Sequence, residues 1–244
     1  MFVEKSVRDT PQQMTETDKM ICRDKSLDYR VLNMASNTFN ENETSYYHKS
    51  VGGYHPAKLR RYAEMIEAYI SPEMQKAMKA VAEAGGDMTK VNGDSIFPVL
   101  NMLNTKYFIM PLQGGQTVPV QNLYAYGNAW FVDNIKYVDN ANQEIDAVGT
   151  INLRHEAVAD KKFADVLGTA QKQGNTSLVT LKKYDANELT YTVQSQKGGI
   201  VVFSEVYYPG WTATVDGVSV PVGRVNYILR AINVKPGQHT VVLT

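Results

Sequence analysis

Leu189-Thr190-Tyr191-Thr192-Val193-Gln194 alternates apolar and polar residues without a break. So does the run before it, where Leu178, Thr180 and Lys182 alternate with Val179, Leu181 and Lys183. Successive side chains on a strand point to opposite faces, so a period of two marks a strand with one buried face. Residues 200–205 predict a third strand. Residues 211–215 and 218–222 flank Asp216-Gly217, the strongest short hairpin signal. Residues 227–232 and 239–243 flank Lys235-Pro236-Gly237, a further turn. About seven short strands separated by turns predict an antiparallel β-sandwich over residues 171–244. Trp211, Leu189, Tyr191, Val202 and Leu229 are expected to share its core.

The texture before this point is different. A short polar helix is predicted over residues 15–25 and a strand over residues 29–34. Residues 35–47 are rich in Asn, Ser, Thr and Glu, which is loop chemistry. Pro56 suits the first turn of a helix, where its missing N–H is not needed. Leu59, Tyr62, Ile66 and Tyr69 then recur at helical spacing. Ser71-Pro72-Glu73 reads as the start of a second helix, with Met74, Ala77, Met78 and Val81 as its buried stripe and Gly85-Gly86 as its end. The two helices predict an antiparallel hairpin. Residues 97–104 read as helical and 106–110 as a strand. A strand is expected over residues 129–138, a small helix over 140–148 and another strand over 156–159. The expected fold is therefore α+β: a mixed helix and strand region over residues 1–170, then the β-sandwich, with the boundary near residues 168–175.

Composition narrows the function classes. Lys+Arg and Asp+Glu both count 25, so the net charge is zero, which argues against a nucleic-acid partner. Cys22 is the single cysteine, so no disulfide forms within the chain. No run approaches the ~18 apolar residues of a membrane span. Residues 1–5 carry no apolar signal core. The sequence stops at Val241-Val242-Leu243-Thr244, inside an expected strand, which suggests a segment of a longer protein. His48, His55, His155 and His239 stand outside any HExxH or paired-cysteine pattern, and no nucleophile elbow or phosphate-cradling glycine loop is present. No catalytic residue, metal or cofactor is expected.

Several stretches together carry a resemblance. They are Tyr29-Arg30-Val31-Leu32-Asn33, Thr44-Ser45-Tyr46-Tyr47-His48-Lys49-Ser50-Val51-Gly52-Gly53-Tyr54-His55, Ala57-Lys58-Leu59-Arg60-Arg61-Tyr62 and Asn101-Met102-Leu103-Asn104-Thr105-Lys106-Tyr107-Phe108-Ile109. Gly127-Asn128-Ala129-Trp130-Phe131-Val132 and Tyr207-Tyr208-Pro209-Gly210-Trp211, followed by Val215-Asp216-Gly217, complete them. In order and spacing the chain resembles the soluble carboxyl-terminal part of the YfhO family of bacterial multi-pass membrane proteins, particularly its Bacteroidetes members. The resemblance implies membrane helices before and after this segment, and a location on the extracytoplasmic side of the cell membrane. It also implies kinship with membrane glycosyltransferases that use polyprenyl-phosphate sugars and keep their catalytic carboxylate in an early loop outside this chain. The expected function is a non-catalytic accessory domain that positions a glycan or a lipid-linked sugar, with its own transmembrane domain as partner. The alternative is a structural module that braces the membrane helices.

Two stretches are the candidate binding residues. The first is Tyr47, His48, Gly53, Tyr54, His55, Lys58 and Arg61. Its glycines let a backbone approach a ligand, a helix N-terminus near Pro56 would attract an anion, and Lys58 and Arg61 would add charge. The competing reading is a structural loop with packed tyrosines. The second is Tyr207, Tyr208 and Trp211, an aromatic platform for a sugar face. Against that, Trp211 shares its register with Ala213 and Val215, which turns it toward the core. Asn42-Glu43-Thr44 and Asn175-Thr176-Ser177 match the glycosylation sequon, a match that is commonly coincidental and is expected to be irrelevant in the bacterial protein that the resemblance implies.

Overall fold

Gly199–Val206 reads Gly-Ile-Val-Val-Phe-Ser-Glu-Val, apolar at successive positions, the pattern of a strand buried on both faces. A computed structural model describes residues 13–174 and 176–244 and places this strand between two hydrophobic cores. Residues 1–5 and the sequon asparagine Asn175 lie outside the described residues.

The amino-terminal part opens with helix α1 (Glu16–Ile21), whose start is closed by a reciprocal Thr15–Asp18 capping box. Strands β1 (Arg30–Asn33), β2 (Lys49–Ser50), β3 (Thr105–Pro111) and β4 (Thr117–Gln121) form one sheet in the order β2-β1-β3-β4. β1 runs parallel to both its neighbours, and β4 closes the sheet antiparallel.

The expected helical hairpin is corrected. Helix α2 (Arg60–Met65) passes through a π-helical turn (Ile66–Ile70) directly into α3 (Ser71–Glu83). Ser71 has helical dihedrals (φ −66°, ψ −46°), so it caps nothing. Pro72 lacks an N–H, and its ring would meet the carbonyl of Ala68 in a regular helix. The wide turn just before it absorbs both defects without breaking the chain direction. The start is corrected too. Pro56 and Ala57 sit in a turn, and the helix begins at Arg60.

Glu73 on α3 is buried against α4 (Gly93–Ile96) and α5 (Pro98–Met102). Its carboxylate accepts the N–H groups of Val99 (3.0 Å) and Leu100 (2.9 Å), donors that the first turn of α5 leaves unused.

The expected single strand over residues 129–138 is two. β5 (Ala129–Phe131) and β6 (Asn134–Val138) part at Asp133, whose N–H turns to the carbonyl of His155 (2.7 Å). β6 pairs in parallel with β7 (Glu156–Asp160) across helix α6 (Ala141–Val148), a compact β-α-β unit. Helix α7 (Ala164–Leu167) follows.

The rest is antiparallel. β8 (Leu178–Asp185), β9 (Glu188–Ser195), β11 (Ala213–Val215), β12 (Val218–Val220) and β15 (Gly237–Leu243) form a sheet in the order β12-β11-β15-β9-β8. β10 (Gly199–Val206), β13 (Gly223–Val225), β14 (Leu229–Val234) and β5 form the facing sheet, in the order β13-β14-β10-β5. Asp216 (φ 52°) and Gly217 (φ 81°) both take the left-handed conformation that the two-residue hairpin turn requires.

Between the two sheets lie Leu189, Tyr191, Val193, Val201, Phe203, Ile232 and Val241, with Trp211 packed at the edge. Tyr191 and Phe203 meet edge to face at 4.9 Å. Val202 and Leu229 do not join them. Alternation along β10 and β14 turns these two toward the amino-terminal core with Phe97, Leu100 and Met102. Arg30 ties the first sheet to β10. Its buried guanidinium donates to the carbonyls of Leu103 and Ser204, both at 2.6 Å. Lys49 adds bonds to Asp28 (3.1 Å) and Glu205 (2.8 Å).

Candidate functional site

The first candidate stretch divides into three places. Tyr47 lines a polar hollow with Thr15, Asp18, Asn33 and Thr44. His48 is buried beside it, its Nε2 2.8 Å from Asp18 Oδ1. Gly53, Tyr54, His55 and Lys58 form the loop ahead of α2, where Tyr54 and His55 are exposed. The donors that a ligand would need are used internally. Gly53 N–H bonds to Thr38 O and Tyr54 N–H to Glu41 O, both at 2.7 Å. His55 Nδ1 accepts from Ala57 N–H (3.1 Å), and Lys58 Nζ donates to Phe39 O (3.2 Å). Because α2 starts at Arg60, Lys58 precedes the helix and shares no helical face with Arg61.

The glycine pair is built into that loop. A Cβ on Gly52 would stand 2.0 Å from Thr38 O, a backbone atom with no room to retreat. Gly52→Ala is therefore expected to cost about 2 kcal/mol of unfolding free energy, as overpacking does. Urea denaturation checks this, and a change below about 0.5 kcal/mol would show that the loop relaxes freely.

Arg61 goes elsewhere, and there the two candidate stretches meet. It lines a hollow of 250 Å³ together with Leu59, Tyr207, Tyr208, Arg224 and Tyr227. Arg61 sits on the first turn of α2, Tyr207 and Tyr208 follow β10, and Arg224 is the middle residue of β13. Tyr227 lies in the tight connection from β13 to β14, where Asn226 (φ 49°) and Tyr227 (φ 71°) are both left-handed. Such backbone is costly for residues other than glycine and persists only where its surroundings enforce it. Here Asn226 is held on both sides by Val158. Its N–H reaches Val158 O (2.7 Å) and its Oδ1 takes Val158 N–H (3.0 Å).

Charge in this hollow is unbalanced. Arg61 Nη1 (3.1 Å) and Arg224 Nη2 (3.0 Å) share one oxygen of Glu144, which is wholly buried on α6. Two guanidiniums face one carboxylate. Glu144 Oε1 and Arg224 Nε are buried with no protein partner. The aromatic rings hold the guanidiniums in place. Arg61 lies 4.2 Å from the Tyr227 ring centroid, and Arg224 lies 5.2 Å from Phe163 and 5.9 Å from Tyr207. Arg60 pairs with Glu64 (2.8 Å), and the Tyr227 hydroxyl donates to the same Glu64. That hydroxyl, and the Arg60 guanidinium, hold the Glu64 carboxyl below its ordinary range, while burial pushes the Tyr227 phenol up. The outer rim is apolar. Tyr208 is 55% exposed and Leu59 43%. A site of this kind can grip an anionic group and lay a ring or chain against phenol faces.

Trp211 takes no part in this hollow. It packs at the edge of the sandwich core, with the Arg230 guanidinium stacked 3.9 Å above it. Glu144, Arg224 and Tyr227 are not among the candidates that the sequence pattern marks. One signal pointed to Glu144: it shares its helix face with Ala147 and Val148 at the i, i+3, i+4 spacing, and an acid on a buried face needs a partner. Among the described residues no group of His, Cys, Asp and Glu is placed to hold a metal ion. His155 pairs with Asp133 (2.9 Å) and His239 with Asp216 (2.6 Å). No described helix is long and apolar enough to cross a membrane.

Searches of the curated proteins and of the solved structures found no significant match. A scan of family models did. Residues 139–244, which carry Glu144, Tyr207, Tyr208, Arg224 and Tyr227, match the model described as "Bacterial membrane protein YfhO", so this part of the chain is similar to that family.

Proposed function

We propose that this chain is a non-catalytic accessory region on the extracytoplasmic side of a membrane protein of glycosyltransferase-like type. In this reading its hollow at Arg61, Arg224, Tyr207, Tyr208 and Tyr227 positions a glycan or a lipid-linked sugar for its own transmembrane domain. The observation that carries it is the sharing of one buried carboxylate by two guanidiniums inside a phenol-walled hollow. Guanidiniums bind phosphate oxygens in pairs and resist losing their proton. Tyrosine faces suit the C–H face of a sugar. The family match supports attachment to a membrane protein.

Glucose 1-phosphate and glucose are the probes. The phosphate ester is expected to give saturable amide shifts at Tyr207, Arg224 and Tyr227, and glucose weaker ones. Arg61→Ala is expected to weaken the phosphate ester about tenfold, the loss of one charge-assisted hydrogen bond. No transfer to an acceptor is expected from this region alone. Absence of shifts with either probe at millimolar concentration would reject the reading.

A further inference from the structure

A second groove lies away from this hollow, at β5. That strand ends its sheet and pairs only with β10, with Ala129 opposite Phe203, Trp130 opposite Val202 and Phe131 opposite Val201. Two flanking bonds fix which residues face the ladder. Val132 N–H reaches Ile200 O (3.2 Å) and Ser204 N–H reaches Asn128 O (2.9 Å). In an antiparallel pair, hydrogen-bonded and non-bonded residues alternate. Asn128, Trp130 and Val132 therefore exchange bonds with β10, and the N–H and C=O of Ala129 and Phe131 point away from it. Neither residue makes another hydrogen bond among the described residues.

Both residues line a groove of 460 Å³. Its opposite wall is the edge strand of the other sheet, β8, at Leu178 and Val179. Leu178 is 60% exposed. The indole Nε1 of buried Trp130, also in the lining, has no protein partner. At the amino end of β5 stands Arg154. Its guanidinium lies 5.2 Å from the Tyr126 ring and donates to Tyr126 O (3.3 Å). It has no carboxylate partner among the described residues.

We infer that this groove takes an extended acidic peptide segment as an added antiparallel strand on β5, its carboxylate meeting Arg154. Free main-chain donors and acceptors in alternation are what another extended main chain recognises. A strand seated about 4.8 Å from β5 would bond to Ala129 and Phe131. Antiparallel pairing places the peptide's carboxyl end beside the amino end of β5, where Arg154 stands. Its alternate side chains then meet Leu178 and Val179 across the groove.

The probe is acetyl-Val-Thr-Val-Thr-Glu-amide, titrated into the whole chain with amide NMR detection. Saturable shifts at Ala129 and Phe131 are expected, with Arg61 and Tyr227 unmoved. Ala129→Pro removes only an outward N–H and leaves the bonds to β10, so Val132 and Ser204 keep their protection while the peptide weakens about tenfold. Arg154→Gln, or Gln in place of the peptide's Glu, should each weaken it about fivefold. The peptide N-methylated at its central residues tests the main-chain bonds without altering the protein, and should not bind. Unchanged affinity for the N-methylated peptide or for Ala129→Pro overturns the inference. So does the absence of any saturable shift at β5.

Discussion

Glu144→Gln is expected to lower the unfolding free energy by about 3 kcal/mol at neutral pH, among the largest single losses this chain can show. The change keeps the size of the side chain and removes its charge. What remains is two guanidiniums aimed at one neutral amide, Arg224 only 7% exposed and Arg61 half-buried above it. A whole buried ion cluster is weak evidence for stability, because desolvation offsets most of the attraction. Removing one partner is different, since it leaves charge buried without compensation. The loss sits at the lower end of the usual range because Arg61 can swing toward solvent. Marginal stabilities of ~5–15 kcal/mol make such a loss easy to see by urea denaturation followed through tryptophan fluorescence.

The same variant tests the hollow as an anion site. Inorganic phosphate should stabilise Glu144→Gln more than the unaltered chain, because a bound anion would replace the missing charge. Arg224→Met in the Glu144→Gln background should recover part of the loss, as coupled neighbours do. A loss under about 1 kcal/mol, with no response to phosphate, would mean that Glu144 is not the counter-ion of these guanidiniums.

Much of the architecture was legible because local chemistry and tertiary environment agree. Residues 189–194 alternate, and β9 buries Leu189, Tyr191 and Val193 on one side. Asp216-Gly217 predicts a tight hairpin, and both residues take the conformation that turn needs. The reading fails where one pattern has two physical outcomes. Ile200-Val201-Val202-Phe203 is apolar throughout, so alternation cannot say which residues face which core, and Val202 faces the amino-terminal core and not the sandwich core expected for it. Ser71-Pro72-Glu73 has the chemistry of a helix start. It also fits inside a helix when a π-helical turn precedes the proline, and such a turn leaves no mark in composition.

The candidate site divides in the same way. Arg61, Tyr207 and Tyr208 stood out as charge and aromatic rings near turns, and they meet in one hollow. Their assembly depends on contacts that no local pattern encodes: Arg61 reaches Glu144 across 83 residues and Arg224 reaches it across 80. The glycine loop attracted attention for a helix N-terminus that in fact begins later, at Arg60. Gly52 and Gly53 mark a close backbone crossing over Thr38. A glycine pair signals that the backbone must come close to something, and here the neighbour is the chain itself.

Glu73 sets the second large effect, and it depends on pH. Burial against α4 and α5 pushes its carboxyl up from the ordinary 4.5 to about 7, although the N–H groups of Val99 and Leu100 pull the other way. The direction of the stability change follows from proton counts. Below pH 4.5 both folded and unfolded chains hold the proton, and Glu73 contributes no slope. Between 4.5 and about 7 the unfolded chain releases it while the folded chain keeps it, so stability falls as pH rises. Above about 7 both forms are ionised and the loss is complete. A separation of this size corresponds to about 3 kcal/mol. Glu73→Gln cannot titrate, so its stability should be flatter than that of the unaltered chain between about pH 5 and 8. The groups held low, Asp18, Asp133 and Glu205 among them, titrate below this window, and the raised His239 is common to both chains. The difference between the two denaturation curves therefore isolates Glu73. Glutamine can accept only one of the two backbone N–H groups, so below pH 4.5 the variant should be less stable by about 1 kcal/mol. The unaltered chain then loses about 3 kcal/mol against that gap of about 1, so the two curves should converge and cross as pH rises. Parallel curves across the window would show that Glu73 is ionised throughout and that its cap on α5 carries no pH dependence.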